Sequence, residues 1–372
     1  MTVDGTRNGL PEIHLFEPTG YGGVFQHTCQ LGLGLGRTGR RVVLHTGHKH
    51  EQVHLDGVDF CACSWWPRPS ASGRVTAAAR KATIVRRLVQ HTVPHLVQTA
   101  PPGAVLHLQG TAASGALNVL AMTAARRAGL RVVYSPHDAF SRRGRLDGAL
   151  LRLAYRVPHA IVVQSHADEA VVRAAAGGVD RVHYSPLVQL VPRPSATAEQ
   201  SWRREWRADL SDTVVLFAGF IRPEKRLDVL IESARHWPPG RRLAIVGPDK
   251  GGWARCDALA REYGIDIATR LEFVGLNEFT AAIAAADLVV VPSEKASQSG
   301  VLALAQQLRT PTVAADVGGM AELASDTFIA GDVDDLTRAI QARLASGASP
   351  VQPPIEEDHA VHAHLRAYGA PL

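Results

Sequence analysis

Cysteine is scarce in this chain, with four among 372 residues. Cys29, Cys61, Cys63 and Cys256 fit none of the paired spacings of a zinc motif, so the sequence predicts no metal site. Cys61 and Cys63 fall in a strand-like stretch, where alternate residues share a face, and a buried structural role is expected for them. Aromatic residues are also few, at 6%, and are not interleaved with the basic ones. A stacking platform for nucleic acid is thereby disfavoured, and no zinc-finger or RNA-binding signature appears. Long apolar runs are missing too. The longest, AIVVQS, LAIVG and DLVVVP, are strand-sized, far short of the roughly 18 residues of a membrane-spanning helix. The opening MTVDGTRNGLPEIHLFEP has no apolar stretch of the kind a signal peptide carries, so a cytoplasmic protein is expected.

What the chain does have is size, a basic balance and a rhythm. Its length predicts two domains. The net charge of +5 favours phosphorylated substrates, polyanions or anionic membrane surfaces as partners. Short β-branched runs alternate with helical segments: EIHLFEP, RRVVLHTG, VDFCAC, AVLHLQG, RVVYSPH and AIVVQS. The runs are continuous rather than alternating, as in parallel strands covered on both faces, so the fold class is α/β with doubly wound parallel sheets. VQLVPRPSATAEQSW, rich in Pro, Ser and Ala, breaks the rhythm and reads as a linker, placed at 191–202. The rhythm then restarts with TVVLFAG, RLAIVG, RLEFVG, DLVVVPS and TPTVAAD. The expected division is a Rossmann-like domain over 1–190, a second over 203–350 and a closing helical segment over 351–372. Ligands of such sheets bind beyond the carboxyl ends of the strands, so a cleft between the two domains is the expected site.

Four strand-to-helix junctions carry anion-binding chemistry. In LFAGFIRPEKRLDVLIESA the strand ends at Gly219 and a helix is expected after Pro223, with Arg222 and Lys225 beside its N-terminus. Ser297, Gln298, Ser299 and Gly300 lie between VVVPS and the apolar VLALAQQL, where hydroxyls and exposed amides suit phosphate oxygens. DVGGMAEL places Gly318 and Gly319 before an expected helix, and GYGGVFQHT does the same with Gly22 and Gly23 near the N-terminus. Together they point to a ligand with several oxyanions, such as a nucleotide diphosphate. GLGLGRTG at 32–39 superficially resembles a dinucleotide fingerprint, but it lies within the first helix and no acidic residue closes the next strand, which excludes an NAD enzyme.

These motifs, in order from GGVFQHT through SPHDAF, AIVVQSHADE and FIRPEK to SGVLALAQQLRTPTVAADVGGMAEL, resemble the retaining GT-B glycosyltransferases of glycosyltransferase family 4 over most of 12–345. The pattern departs from the family's at two points. Aligned without a gap from Pro292-Ser293 to Thr310-Pro311, Ala296 and Leu304 stand where the family carries two glutamates, and Phe220 replaces its first Arg. The resemblance implies transfer of a sugar from a nucleotide-diphosphate donor to a hydroxyl acceptor with retention, without metal or other cofactor. It implies an acceptor domain at 1–190, a donor domain at 203–350 and a final helix that crosses back to the first domain. Arg222 and Lys225 would neutralise the leaving diphosphate, His137 in SPHD would meet the donor sugar, and Glu322 would contact the nucleoside. The missing glutamates leave a second reading: a weakened glycosyltransferase-like subunit that binds nucleotide-sugar and supports a partner. A third, other sugar chemistry on the same fold, is disfavoured by the lack of a cofactor lysine motif.

Three further features belong to the sequence reading. His45, His48, His50 and His54 are expected at the surface. The basic segment from 74 to 98, with Arg74, Arg80, Lys81, Arg86 and Arg87, reads either as the exposed face of a soluble helix or as a helix that can lie on an anionic membrane surface, the second of which would place the protein peripherally on the inner face. The acceptor, a lipid-linked saccharide or a small natural product, is not specified by SWWPRPSASG, QGTAASG or AFSRRGR, although Trp65 and Trp66 could stack on a sugar.

Overall fold

The computed structural model describes residues 10–65, 77–110, 115–139, 145–178, 180–346 and 355–370. Arg74, Trp66 and most of the expected acceptor loops lie outside them. The chain divides into two compact units, Met1–Gln189 with Glu356–Leu372, and Leu190–Ile355.

The first unit contains β1 (Ile13–Phe16), α1 (Gly22–Arg37), β2 (Val42–Gly47), β3 (Val58–Ser64), α2 (Ala77–Arg87), α3 (Val93–Thr99), β4 (Val105–Gln109), α4 (Gly115–Arg127), β5 (Arg131–Ser135), α5 (Arg145–Ala154), β6 (Ala160–Val163), α6 (His166–Ala176) and β7 (Val182–Tyr184). The second contains α7 (Ala196–Glu205), β8 (Thr213–Ala218), α8 (Leu227–Ala234), β9 (Arg241–Val246), α9 (Trp253–Tyr263), β10 (Ile267–Arg270), α10 (Leu276–Ala285), β11 (Leu288–Val291), α11 (Gly300–Leu308), β12 (Thr312–Ala315), β13 (Asp326–Phe328) and α12 (Val333–Ala345). The closing helix, α13 (Glu357–Ala367), belongs to the first unit.

Both sheets are parallel. Their strand orders are β3-β2-β1-β4-β5-β6-β7 and β10-β9-β8-β11-β12-β13. In each, the chain builds outward from the unit's first strand, then returns to its other side. The reversal lies between β1 and β4 in the first unit and between β8 and β11 in the second, and ligands collect at such reversals. The apolar runs explain the core: β1, β2, β4, β6 and β11 are buried along their whole length, as strands covered on both faces must be.

Four local expectations are corrected. Helix α7 begins at Ala196, inside the stretch read as linker; the side chain of Ser195 caps it by accepting from the Ala198 N–H. The strand expected at RLEFVG lies earlier, at Ile267–Arg270, and pairs with β9. DVGGMAEL enters a turn rather than a helix. The helix expected after Pro223 starts only at Leu227, behind a single 3₁₀ turn at Pro223–Lys225. Short β7 and β13 were not anticipated, because three residues carry no readable period. No helix of the described residues is long and apolar enough to cross a membrane.

Helix α13 is fastened to its unit by polar contacts. Arg37 donates to both carboxylate oxygens of Glu357 at 2.9 Å, and Arg131 donates to the Ala367 carbonyl at 3.1 Å. The Tyr368 hydroxyl, just past the helix, meets His107 Nδ1 at 2.8 Å.

Candidate active site

The second unit's reversal brings together two of the expected anion-binding junctions. Strands β8 and β11 are neighbours, so the turn after β8 and the turn after β11 lie side by side. The Glu294 N–H donates to the Glu224 carbonyl at 3.2 Å, and Arg226 donates to the Glu294 carboxylate at 3.2 Å. The third junction joins them, because the Gly319 N–H donates to the Ser297 carbonyl at 2.9 Å. Arg222, Lys225, Ser297–Gly300 and the Gly318–Gly319 turn are thus one hydrogen-bonded group of loops at the carboxyl end of one sheet.

Two glycines make the approach possible. Gly247, at the end of β9, has φ 143°, and a Cβ there would sit 1.9 Å from the Gly219 carbonyl oxygen. A Cβ on Gly318, at φ 54°, would sit 2.0 Å from the Ala296 carbonyl oxygen. Neither loop contact survives a side chain at these positions.

The Arg222 turn is anchored from beneath. Ile221 is fully buried and its carbonyl accepts from the Lys250 N–H at 2.8 Å. Arg222 then projects with its guanidinium 5.3 Å over the Phe220 ring and 3.8 Å from Glu224, with 41% of its side chain exposed. Phe220 therefore acts as a platform for the Arg two residues on. Arg226 behaves differently. It adopts φ 51°, redirects the chain into α8 and is held by Asp228 at 3.1 Å as well as by Glu294. The hydrogen bond that its guanidinium donates to the Asp228 carboxylate is the main reason its basicity is raised. Its charge is compensated internally, and Arg222 and Lys225 are the cations of this turn that the sequence singled out.

At the second junction, Ser299 is the N-cap of α11, its hydroxyl accepting from the Leu302 N–H at 3.3 Å. That hydroxyl oxygen serves the helix, while Gly300 opens it, at the end where helix amides lack intrahelical partners. Ser297 is buried and Gln298 half-buried. Ala296 is 8% exposed and Leu304 1% exposed, both within the unit's apolar core. Glu322 lies half-buried in the turn that follows β12. A separate cavity of about 690 Å³, lined by Asp212, Arg242 and Tyr263 among others, opens at the amino ends of β8 and β9, away from these loops.

The remaining expected site residues lie in the first unit. Gly22, at φ 78°, opens α1, but its N–H donates to the Glu51 carboxylate at 2.8 Å. Glu17 similarly accepts from the Gly20 N–H at 2.7 Å and is buried, which pushes its carboxyl up. At this junction the protein's own carboxylates occupy amides that were expected to face an anion. Gly23 is exposed.

His137 follows β5 and adopts φ 54°, a conformation that costs a non-glycine residue about 1–3 kcal/mol. Its Nε2 lies 2.7 Å from Gln109 Oε1, so Nε2–H donates and Nδ1 is the acceptor nitrogen. Gln109 Nε2 in turn faces His107 Nδ1 at 3.2 Å, and His107 Nε2 meets the Ser135 hydroxyl at 2.9 Å. Burial is the main cause that holds His137 well below its ordinary value, with the His27 and His364 rings adding to it. A neutral, rigidly oriented imidazole results. The sequence reading missed Gln109, His107, His27 and His364. The one available signal was a polar residue interrupting an apolar strand, as in AVLHLQG.

The histidine stretch is also corrected. His45 is 1% exposed on β2 rather than at the surface, whereas His48 and His54 are exposed. Cys61 and Cys63 are only half-buried.

Among solved structures, the chain matches Anabaena HepE in complex with UDP and glucose with a TM-score of 0.72 at 17% identity, over 96% of this chain and 99% of that one. The catalytic domain of starch synthase IV from Arabidopsis thaliana, bound to ADP and acarbose, matches with a TM-score of 0.74 at 11% identity, over 97% and 99%. The fold is GT-B. Within this GT-B chain, residues 212–346 match the family model described as Glycosyl transferases group 1. That segment contains every loop of the candidate site in the second unit. Curated relatives include a D-inositol 3-phosphate glycosyltransferase of Xylanimonas cellulosilytica, 31% identical over 63% of this chain and 62% of the relative. Another, from a Mycobacterium species, is 32% identical over 52% of this chain and 44% of the relative. The GT-B chain thus spans less than two thirds of these relatives' length.

Proposed function

We propose that this protein is a retaining glycosyltransferase that moves a sugar from a nucleotide-diphosphate donor to a hydroxyl acceptor. The observation that carries the reading is the joining of the Arg222–Lys225 turn, the 297–300 turn and the Gly318–Gly319 turn at the strand reversal of the segment matching the group 1 glycosyl transferases.

Cleavage of the sugar–phosphate bond develops negative charge on the departing diphosphate and positive charge at the anomeric carbon. Arg222 and Lys225 supply formal charge at the leaving group, and the amides of the 297–300 turn supply dipoles fixed before the reaction begins. Such preorganised groups lower the barrier without a metal. His137, neutral and oriented by Gln109, accepts a hydrogen bond from a donor-sugar hydroxyl through Nδ1. Glu322 contacts the nucleoside. No carboxylate is assigned as a nucleophile, so the acceptor hydroxyl attacks the face from which the diphosphate leaves, and a departing phosphate oxygen takes its proton. The acceptor is a lipid-linked saccharide or a small natural product, and the basic 74–98 segment is the proposed contact with an anionic membrane.

HepE was solved with UDP and starch synthase IV with ADP, so calorimetric titration begins with UDP and ADP and continues with GDP and dTDP. One diphosphate should bind to the native chain, and Arg222→Ala/Lys225→Ala should weaken it at least about 100-fold, as expected for loss of two charge-assisted contacts. Binding that survives the double substitution would refute the assignment of these cations. No binding of any of the four would refute donor recognition by this chain alone and favour the partner-dependent subunit.

A further inference from the structure

The sequence spacing of the cysteines matches no metal motif, yet the fold brings two of them to two histidines from distant parts of the chain. His45 on β2 and Cys61 on β3 are register partners in the parallel pair, and Cys63 follows two residues later. β3 is the edge strand of the sheet, and α3 brings His95 alongside it. Cys61 Sγ lies 3.0 Å from His95 Nε2 and Cys63 Sγ lies 3.9 Å from His45 Nδ1. All four ligand atoms fall within 4.8 Å of one another. We propose that His45, Cys61, Cys63 and His95 form a tetrahedral Zn²⁺ site that ties the edge strand to α3.

Two thiolates and two imidazoles are the donor set of structural zinc. Ligand atoms around tetrahedral Zn²⁺ are about 3.3–3.8 Å apart, given Zn–S near 2.3 Å and Zn–N near 2.0–2.1 Å. The constellation therefore has to contract by about 1 Å at its widest, which side-chain rotation of half-buried Cys61, Cys63 and His95 supplies. Each thiol releases its proton as the metal binds.

The surroundings fix the ligands as a metal site requires. His45 Nε2 lies 2.8 Å from His14 Nδ1, and His14 Nε2 lies 3.4 Å from the Glu12 carboxylate. With His14 Nε2–H donating to Glu12, His14 Nδ1 accepts from His45 Nε2–H, which leaves the lone pair of His45 Nδ1 facing the cysteines. A carboxylate relayed to a ligating imidazole is the usual outer support of zinc. α3 is held in place as well: the Thr92 hydroxyl donates to the Cys63 carbonyl at 3.3 Å, at the end of a π-helical turn, Leu88–Thr92, that sets the rotation of the following helix. A cavity of about 520 Å³ borders Cys61, Cys63, His91, His95 and Gln98, giving the ion a way in. A disulfide fits less well, because residues two apart on an extended strand have Cα atoms separated by about 6.6 Å, near the upper limit for that bond.

The test uses the full chain freed of any histidine tag, stripped with chelator and titrated with Co²⁺. The expected result is a thiolate-to-cobalt charge-transfer band in the near ultraviolet and a strong visible band of tetrahedral Co²⁺. Both should saturate at one ion per chain and disappear when Zn²⁺ is added. Cys61→Ser/Cys63→Ser should abolish both bands, His95→Ala should remove the tetrahedral visible intensity, and His14→Ala should weaken binding about 10–100-fold. Native far-ultraviolet circular dichroism of each variant separates lost ligation from lost folding. Absence of a saturable spectrum in the native chain overturns the proposal, as does a spectrum unchanged in the double-serine variant. A Cys61–Cys63 disulfide in metal-free protein isolated without reductant overturns it equally.

Discussion

The buried histidines of the first unit predict a loss of stability in mild acid that the second unit does not share. His27 and His364 are fully buried. Burial pushes His27 down to about 4 and His364 to about 3. In the unfolded chain both titrate near 6.5. As pH falls through 6.5 the unfolded state takes up protons that the folded state refuses, so stability declines from there until the folded values are reached. Above about pH 7.5 these groups contribute no slope. Between pH 7 and pH 5 each costs about 2 kcal/mol, and the figure hardly depends on whether the folded value is 3 or 4. The pair therefore removes several kcal/mol, a large share of the roughly 5–15 kcal/mol that holds a typical domain. His107 and His137 are shifted in the same direction and add to the loss. Buried Glu17 works the other way, since its raised value favours protonation in the folded state. Guanidinium unfolding at pH 5, 6, 7 and 8, followed by pulsed hydrogen exchange and peptide mass spectrometry, reports each unit separately. The first unit's stability should fall steeply below pH 6.5. In His27→Gln, whose amide can still donate to the Val188 carbonyl that His27 Nδ1 meets at 2.8 Å, the slope should be reduced by close to one proton. Equal first-unit stability at pH 5 and pH 7.5 would refute the assignment of these rings as neutral.

Other outcomes follow from single contacts. Gly318→Ala places a Cβ against the Ala296 carbonyl at a φ that costs about 1–3 kcal/mol; nucleoside-diphosphate affinity should drop with little change in the second unit's helix content, as calorimetry and circular dichroism would show. Tyr368→Phe removes the nearer of two partners of buried His107 Nδ1, leaving Gln109 Nε2 at 3.2 Å, and should lower the first unit's stability by about 0.5–1.5 kcal/mol. The second unit's midpoint should stay where it is. His137→Ala should reduce turnover more than nucleotide affinity, because its proposed contact is with the sugar; an equal loss of both would reassign it to positioning the fold.

The sequence by itself determined the architecture. Continuous β-branched runs such as VVLH, AIVV and LVVV are buried along their whole length, as strands covered on both faces must be. Glycine at strand ends was legible for the same local reason, since the conformation it needs is written in its own chemistry, whereas the helix expected after Pro223 starts only at Leu227. Where local signal was weak the reading drifted. RLEFVG looked like a strand although pairing with β9 selects the less apolar IATR, and GGMAEL looked helical although the chain turns to form β13.

Only the tertiary structure decided which polar groups meet. Gly22 looked like an anion donor until Glu51, 29 residues on, was found to hold its N–H. Arg226 and Arg222 are equivalent as letters, and the difference between them is set by Asp228 and Glu294. His45, Cys61, Cys63 and His95 have no motif between them, yet two neighbouring strands and one helix bring their ligand atoms within 4.8 Å. Periodicity records burial, which each residue expresses alone. Convergence of charges and ligands depends on strand order and register, and these emerge only when segments far apart in the chain pair.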